Sequence, residues 1–159
     1  MIYKLIGAAL IVTCAVVYSE QKGRKDRERI RNAKTLLRFF DACRSGVSSY
    51  ALTLAEIIDG FGCEQGWSDL LFKIRSNGLV NSAELANEVL GGAEERDIYA
   101  NFAQRFGRGF IRDSEEVCRE CSDKLKGIIA ELEDKEKKDG RTRLAISLCV
   151  SFMTCLLFL

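Results

Sequence analysis

The side chains best suited to chemistry in this chain are its cysteines, and one pair has a spacing with a meaning: Cys118-Arg119-Glu120-Cys121 is a CxxC. Such a pair works in redox chemistry when one thiol is held as thiolate, typically at a helix start that follows a strand. Here it lies inside a helical stripe. Cys43 and Cys63 add two more thiols away from the hydrophobic ends, but a structural zinc site usually takes two closely spaced pairs, and only one is present. A membrane-bound thiol or zinc protein using Cys118 and Cys121 stands as an alternative to simple core packing. The chain has no histidine, which removes the usual general base, the Ser-His and Cys-His nucleophile pairs and the commonest metal ligand. Gly107-Arg108-Gly109 lacks the GK[ST] and the preceding strand of a phosphate loop. Asp69, Glu84, Glu88, Glu94, Glu95 and Asp97 are dispersed at positions where solvated helix faces carry acid. No catalytic residue, metal or cofactor is expected, and the chain reads as a non-enzyme.

The elements that carry these residues read as helices. There is no proline among 159 residues, and glycines punctuate the chain instead. A first helix is predicted from about Asp26 to Cys43, with Ile30, Ala33, Leu36, Leu37 and Phe40 inward and an end near Arg44-Ser45-Gly46. Short helices follow at Leu52–Asp59, with Thr53 as cap, Ser68–Ser76, Ser82–Leu90, with Ser82 near a cap pattern, and Ala93–Phe106. The last begins at Asp113-Ser114-Glu115-Glu116, where Asp113 or Ser114 can cap. Val117, Cys121, Leu125, Ile128 and Leu132, widened by Cys118 and Ile129, give it one apolar face. Trp67 reads as a core or turn anchor, or as a partner contact. The expected fold is all-α: a six-helix soluble bundle, residues 30–132, flanked by an N-terminal and a C-terminal transmembrane helix.

Those flanks are residues 2–18, apolar except for Lys4, and residues 144–159, which carry no charge. Lys4 followed by Val17-Tyr18-Ser19 also fits a cleaved signal peptide. The second segment is about 24 Å long as a helix, short for a hydrocarbon core of about 30 Å, so a buried core helix is its competing reading. Lys22, Arg24, Lys25, Arg27, Arg29 and Arg31 follow the first segment, and Lys135, Lys137, Lys138, Arg141 and Arg143 precede the second. By the positive-inside rule both anchors leave the intervening domain on the cytoplasmic face of the cell membrane. A net charge of +1 gives no reason to expect nucleic acid. Seven scattered cysteines fit a reducing compartment better than a disulfide framework.

Two polar necks, the basic 19–29 and the charged 133–143, are equal in length. As helices they would lie side by side as an antiparallel stalk, Arg27, Arg29 and Arg31 near Glu131, Glu133, Asp134 and Glu136, with basic ends next to anionic lipid. Two frayed, solvated linkers are the alternative.

The order of features resembles the stage III sporulation protein AB family: KLIGAALIV, a basic neck, TLLRFFDACRSGV, a glycine-punctuated middle, then FGRGFIRDSEE before a terminal hydrophobic helix. The match to that family's turn lies at Gly107, Phe110 (where it has Leu), Asp113 and Glu115. The chain departs at Ile111, usually glycine, and at Ser114, usually arginine. The resemblance implies a subunit of the channel joining mother cell and forespore, on the mother-cell side. It also implies a soluble domain similar to the cytoplasmic domain of type II secretion and type IV pilus platform proteins. Its implied partners are other sporulation channel proteins, a secretion-type ATPase and membrane lipid, with self-association left open. A platform-type subunit of a pilus or secretion system outside sporulation is the runner-up. The partner-facing patch is expected around Gly107, Arg108, Phe110, Arg112, Asp113 and Glu115.

Overall fold

The computed structural model describes the backbone of residues 2–62 and 66–158 and the side chains of residues 21, 23–62, 66–142, 145, 146 and 149. It is all-helical. The order is α1 (Ile2–Tyr50), α2 (Leu54–Gly60), α3 (Ser68–Asn81), α4 (Ala83–Val89), α5 (Ala93–Arg105) and α6 (Ile111–Phe158). The chain forms two compact units, Arg29–Ala130 and the pair of segments Met1–Glu28 and Glu131–Leu159.

The core of the first unit follows from periodicity. On α1 the buried positions are Ala33, Leu36, Phe39, Phe40 and Cys43; on α6 they are Val117, Cys118, Cys121, Leu125 and Ile129. Both sets recur every three to four residues, so each helix turns one stripe inward. Helix α5 contributes Tyr99 and Phe102. Phe102 lies 4.5 Å from Phe40 and stacks on Phe106 at 4.8 Å, centroid to centroid. Fully burying such a side chain is worth about 1.5–3 kcal/mol. Trp67, expected as an anchor, is buried at the start of α3.

Four local expectations are corrected. Helix α1 does not stop at Gly46 but continues to Tyr50, where Ala51 takes a positive φ of 49° and the Leu52 N–H returns to the Gly46 carbonyl at 3.0 Å. Gly46 serves packing instead: a Cβ there would sit 2.7 Å from Ile57 of α2. Helix α6 starts at Ile111, ahead of Asp113 and Ser114. Ser82 forms no side-chain cap; its buried hydroxyl donates to the Leu79 carbonyl at 2.7 Å and lies 2.6 Å from the Tyr99 hydroxyl. Thr53 does cap α2, in a reciprocal box with Glu56 that holds the Glu56 carboxyl below its ordinary pKa. Finally, Glu95 is no solvated acid, being 1% exposed. Its two oxygens accept from Arg29 Nε and Nη2 at 2.8 and 3.0 Å. Gly92 makes room for that pair, since a Cβ there would fall 1.9 Å from Glu95 Oε2.

In the second unit both necks are helical, within α1 and α6. The absence of proline and the wealth of Lys, Arg and Glu favour this. Arg27 Nε donates to Glu136 Oε1 at 2.9 Å, joining the two segments, and Lys138 pairs with Asp134 one turn away at 2.6 Å. Among the described residues no helix is long and apolar enough to cross a membrane. The side chains of the segments expected to do so, 2–18 and 144–159, lie almost wholly outside the described residues.

Candidate interaction surface

The turn between α5 and α6 is built by its own side chains. Gly107 has φ +76°, a left-handed conformation that costs other residues roughly 1–2 kcal/mol. Its N–H donates to the Ser114 hydroxyl at 3.3 Å, and the Phe110 N–H donates to Asp113 Oδ2 at 3.0 Å. Asp113 thus sits in the first turn and reaches back to the residue before the helix, half of a capping box. A carboxylate there also faces the positive end of the helix dipole. The tight turn leaves Phe110 83% exposed and Ile111 57% exposed.

Beside the turn lies a cleft of about 510 Å³. Val47 of α1, Leu52 and Leu54 at α2, the α3 segment 77–80, Ala103 and Phe106 of α5, and Gly107, Arg108, Gly109, Ile111 and Ser114 line it. Helix α3 is interrupted at Gly78, two residues before Val80, which is 48% exposed. Arg108 is the one charged residue among the described lining. Arg105 is engaged elsewhere, bound to Glu120 at 2.7 Å; Lys124 and Arg105 together hold the Glu120 carboxyl down to about 2. Glu115 pairs with Arg44 at 3.6 Å. Arg108 and Arg112 have no side-chain partner among the described residues.

The residues expected to face a partner lie close together in the chain. Gly107, Phe110, Asp113 and Glu115 form or flank one turn, with Arg108 on the cleft wall. Leu52, Val80 and Ile111 line the cleft beside that turn and were not singled out as contacts from the sequence.

The other candidate residues fall elsewhere. Arg27 and Glu136 meet, Asp134 bonds along its own helix, and Arg29, expected in the neck, begins the helical unit and holds Glu95. Arg31 and Glu133 have further interactions of their own, and Glu131 is exposed. Cys43, Cys118 and Cys121 are buried free thiols, and Cys63 lies outside the described residues. Burial pushes Cys118 up to about 12 and Cys121 up to about 11, and raises Cys43 well above its ordinary value. A nucleophilic or metal-binding thiol needs the opposite shift. No three potential ligands converge among the described residues. Compared with protein-family models, curated proteins and solved structures, the chain matches none of them.

Proposed function

We propose that this chain is a non-enzymatic, membrane-anchored assembly or coupling subunit that presents the helical unit Arg29–Ala130 to protein partners. The observation that carries the reading is the apolar cleft and exposed turn at Val80, Phe110 and Ile111. Large exposed apolar patches often mark interaction sites, and Val80 and Ile111 are exposed on the lining of one cleft. The long helices α1 and α6 support the anchoring, because each continues from the bundle into one of the hydrophobic segments 2–18 and 144–159. The positive-inside bias supports a cytoplasmic bundle and two membrane helices. The burial of Cys118 and Cys121 favours packing over thiol or zinc chemistry.

The resemblance at Gly107, Phe110, Asp113 and Glu115 supports a place in a sporulation channel, with a secretion-type ATPase or neighbouring channel proteins as partners. Deleting the gene in its own host tests this. Loss of endospores is expected, restored by the unaltered chain and not by one carrying Phe110→Asp, a change at an exposed position. Normal spore yield would exclude the sporulation role and leave the platform-type reading. Loss of the chain from membranes on alkaline carbonate extraction would exclude the anchor.

A further inference from the structure

We infer that the cleft between α3 and the α5–α6 turn receives a short amphipathic helix of another protein whose apolar face is flanked by carboxylates. The inference rests on the interaction-module reading and names the chemistry of its partner. Three observations carry it.

The first is size. The open cleft, of about 510 Å³, lies within the roughly 300–1,000 Å³ of ligand-sized sites and has room for a few apolar side chains of a partner. The second is reach. The apolar surface continues from the cleft onto its rim at Leu52, Val80 and Ile111, with Phe110 alongside, each exposed. A small molecule needs no such rim, whereas a helix laid in a groove uses it for side chains spaced three, four and seven residues apart.

The third is charge. The described lining holds Arg108 and no carboxylate. Arg112, one residue beyond Ile111, is likewise exposed and without a side-chain partner among the described residues. The acids close by in sequence lie off that lining: Asp113 accepts the Phe110 N–H, Glu115 pairs with Arg44, and Glu116 stands one turn along α6 from Arg112. An incoming carboxylate therefore finds Arg108 as the charged group of the cleft wall, and an incoming lysine finds like charge there. Electrostatic match of this kind selects the partner more than it adds affinity.

The test uses the full chain in nanodiscs of zwitterionic lipid. The probe is a fluorescein-labelled synthetic helix with leucines at i, i+3, i+4 and i+7 and glutamates on its flanks; the control has lysines in their place. At low salt the glutamate helix should bind at least about tenfold more tightly than the lysine helix, a difference of about 1.4 kcal/mol. High salt should shrink that ratio. Arg108→Glu should reverse the preference, and Val80→Asp should weaken both helices while the emission of Trp67, the only tryptophan, stays unchanged. Equal binding of the two helices, no binding of the glutamate helix, or binding indifferent to both substitutions would overturn the inference. So would binding of anionic vesicles that Arg108→Glu abolishes without any binding of the glutamate helix, which would make the patch a lipid contact. A chain that fails to enter nanodiscs counts against the anchor alone, and the same titration in buffer still decides the cleft.

Discussion

The helical unit Arg29–Ala130 and the paired segments Met1–Glu28 and Glu131–Leu159 use the same residue types to opposite ends. In the helical unit an ion pair is internal: Glu95 is 1% exposed and receives two bonds from Arg29, itself one of the first residues of the unit. In the paired segments the ion pair Arg27–Glu136 has an arginine that is 75% exposed. The Coulomb attraction is similar in form, but water screens the second far more than the first, whose arginine is 31% exposed. The bundle is therefore specified by burial, while the described part of the paired segments is specified by local helicity with weak cross-links.

The largest break should come at the centre of the bundle. Phe102→Ala removes a ring that meets Phe39, Phe40 and Phe106 and should cost about 3–5 kcal/mol, read as an earlier unfolding transition in Trp67 fluorescence. Arg29→Ala strands the Glu95 carboxylate. A fully buried pair broken this way costs about 3–5 kcal/mol, and because Arg29 is partly exposed about 2–4 kcal/mol is expected by the same readout.

A pH titration sharpens the comparison further. The folded pKa values of Cys118 and Cys121, about 12 and about 11, lie above the ordinary 9.0. Their stabilising contribution is thus complete below about pH 9 and is lost as pH rises toward 11–12, because the unfolded chain ionises first. The urea midpoint should fall across that window, and less steeply in Cys118→Ala/Cys121→Ala. A midpoint equally steep in both would show that other groups govern the alkaline limb.

The two smallest effects lie at the surface. Ala51→Gly relieves a positive φ and should be neutral to stabilising by up to about 1 kcal/mol in the same melt, the entropy of the unfolded chain offsetting part of the gain. Arg27→Ala should move the Trp67 transition by about 0–1 kcal/mol at most, and a larger shift would erase the distinction between the two regions.

Much of the architecture was legible in sequence. Glycine punctuation and apolar periodicity mark all six helices, because a stripe such as Val117, Cys121 and Leu125 has one economical way to bury itself. Their ends were less legible. Gly46 looks like a stop, but its missing side chain serves Ile57 across the bundle, a contact no local reading contains. Asp113 looks like a cap, yet the helix starts two residues earlier because a first-turn carboxylate can reach back to the Phe110 N–H. Glu95 resembles its surface neighbours until Arg29, far away in sequence, is placed against it. The turn of the candidate surface could be read from Gly107 and Asp113, whereas the cleft could not, since its lining comes from α1, α2, α3 and α5 as well as the turn.

The most direct test of the central claim is sidedness. A chain stripped of its native cysteines and given one at the exposed position Glu88 would be treated with an impermeant maleimide in intact cells and again after lysis. Protection until lysis is the predicted result, putting the bundle and its cleft in the cytoplasm between two membrane anchors. Labelling of intact cells would contradict the charge-based orientation and place the bundle on the opposite side of the membrane.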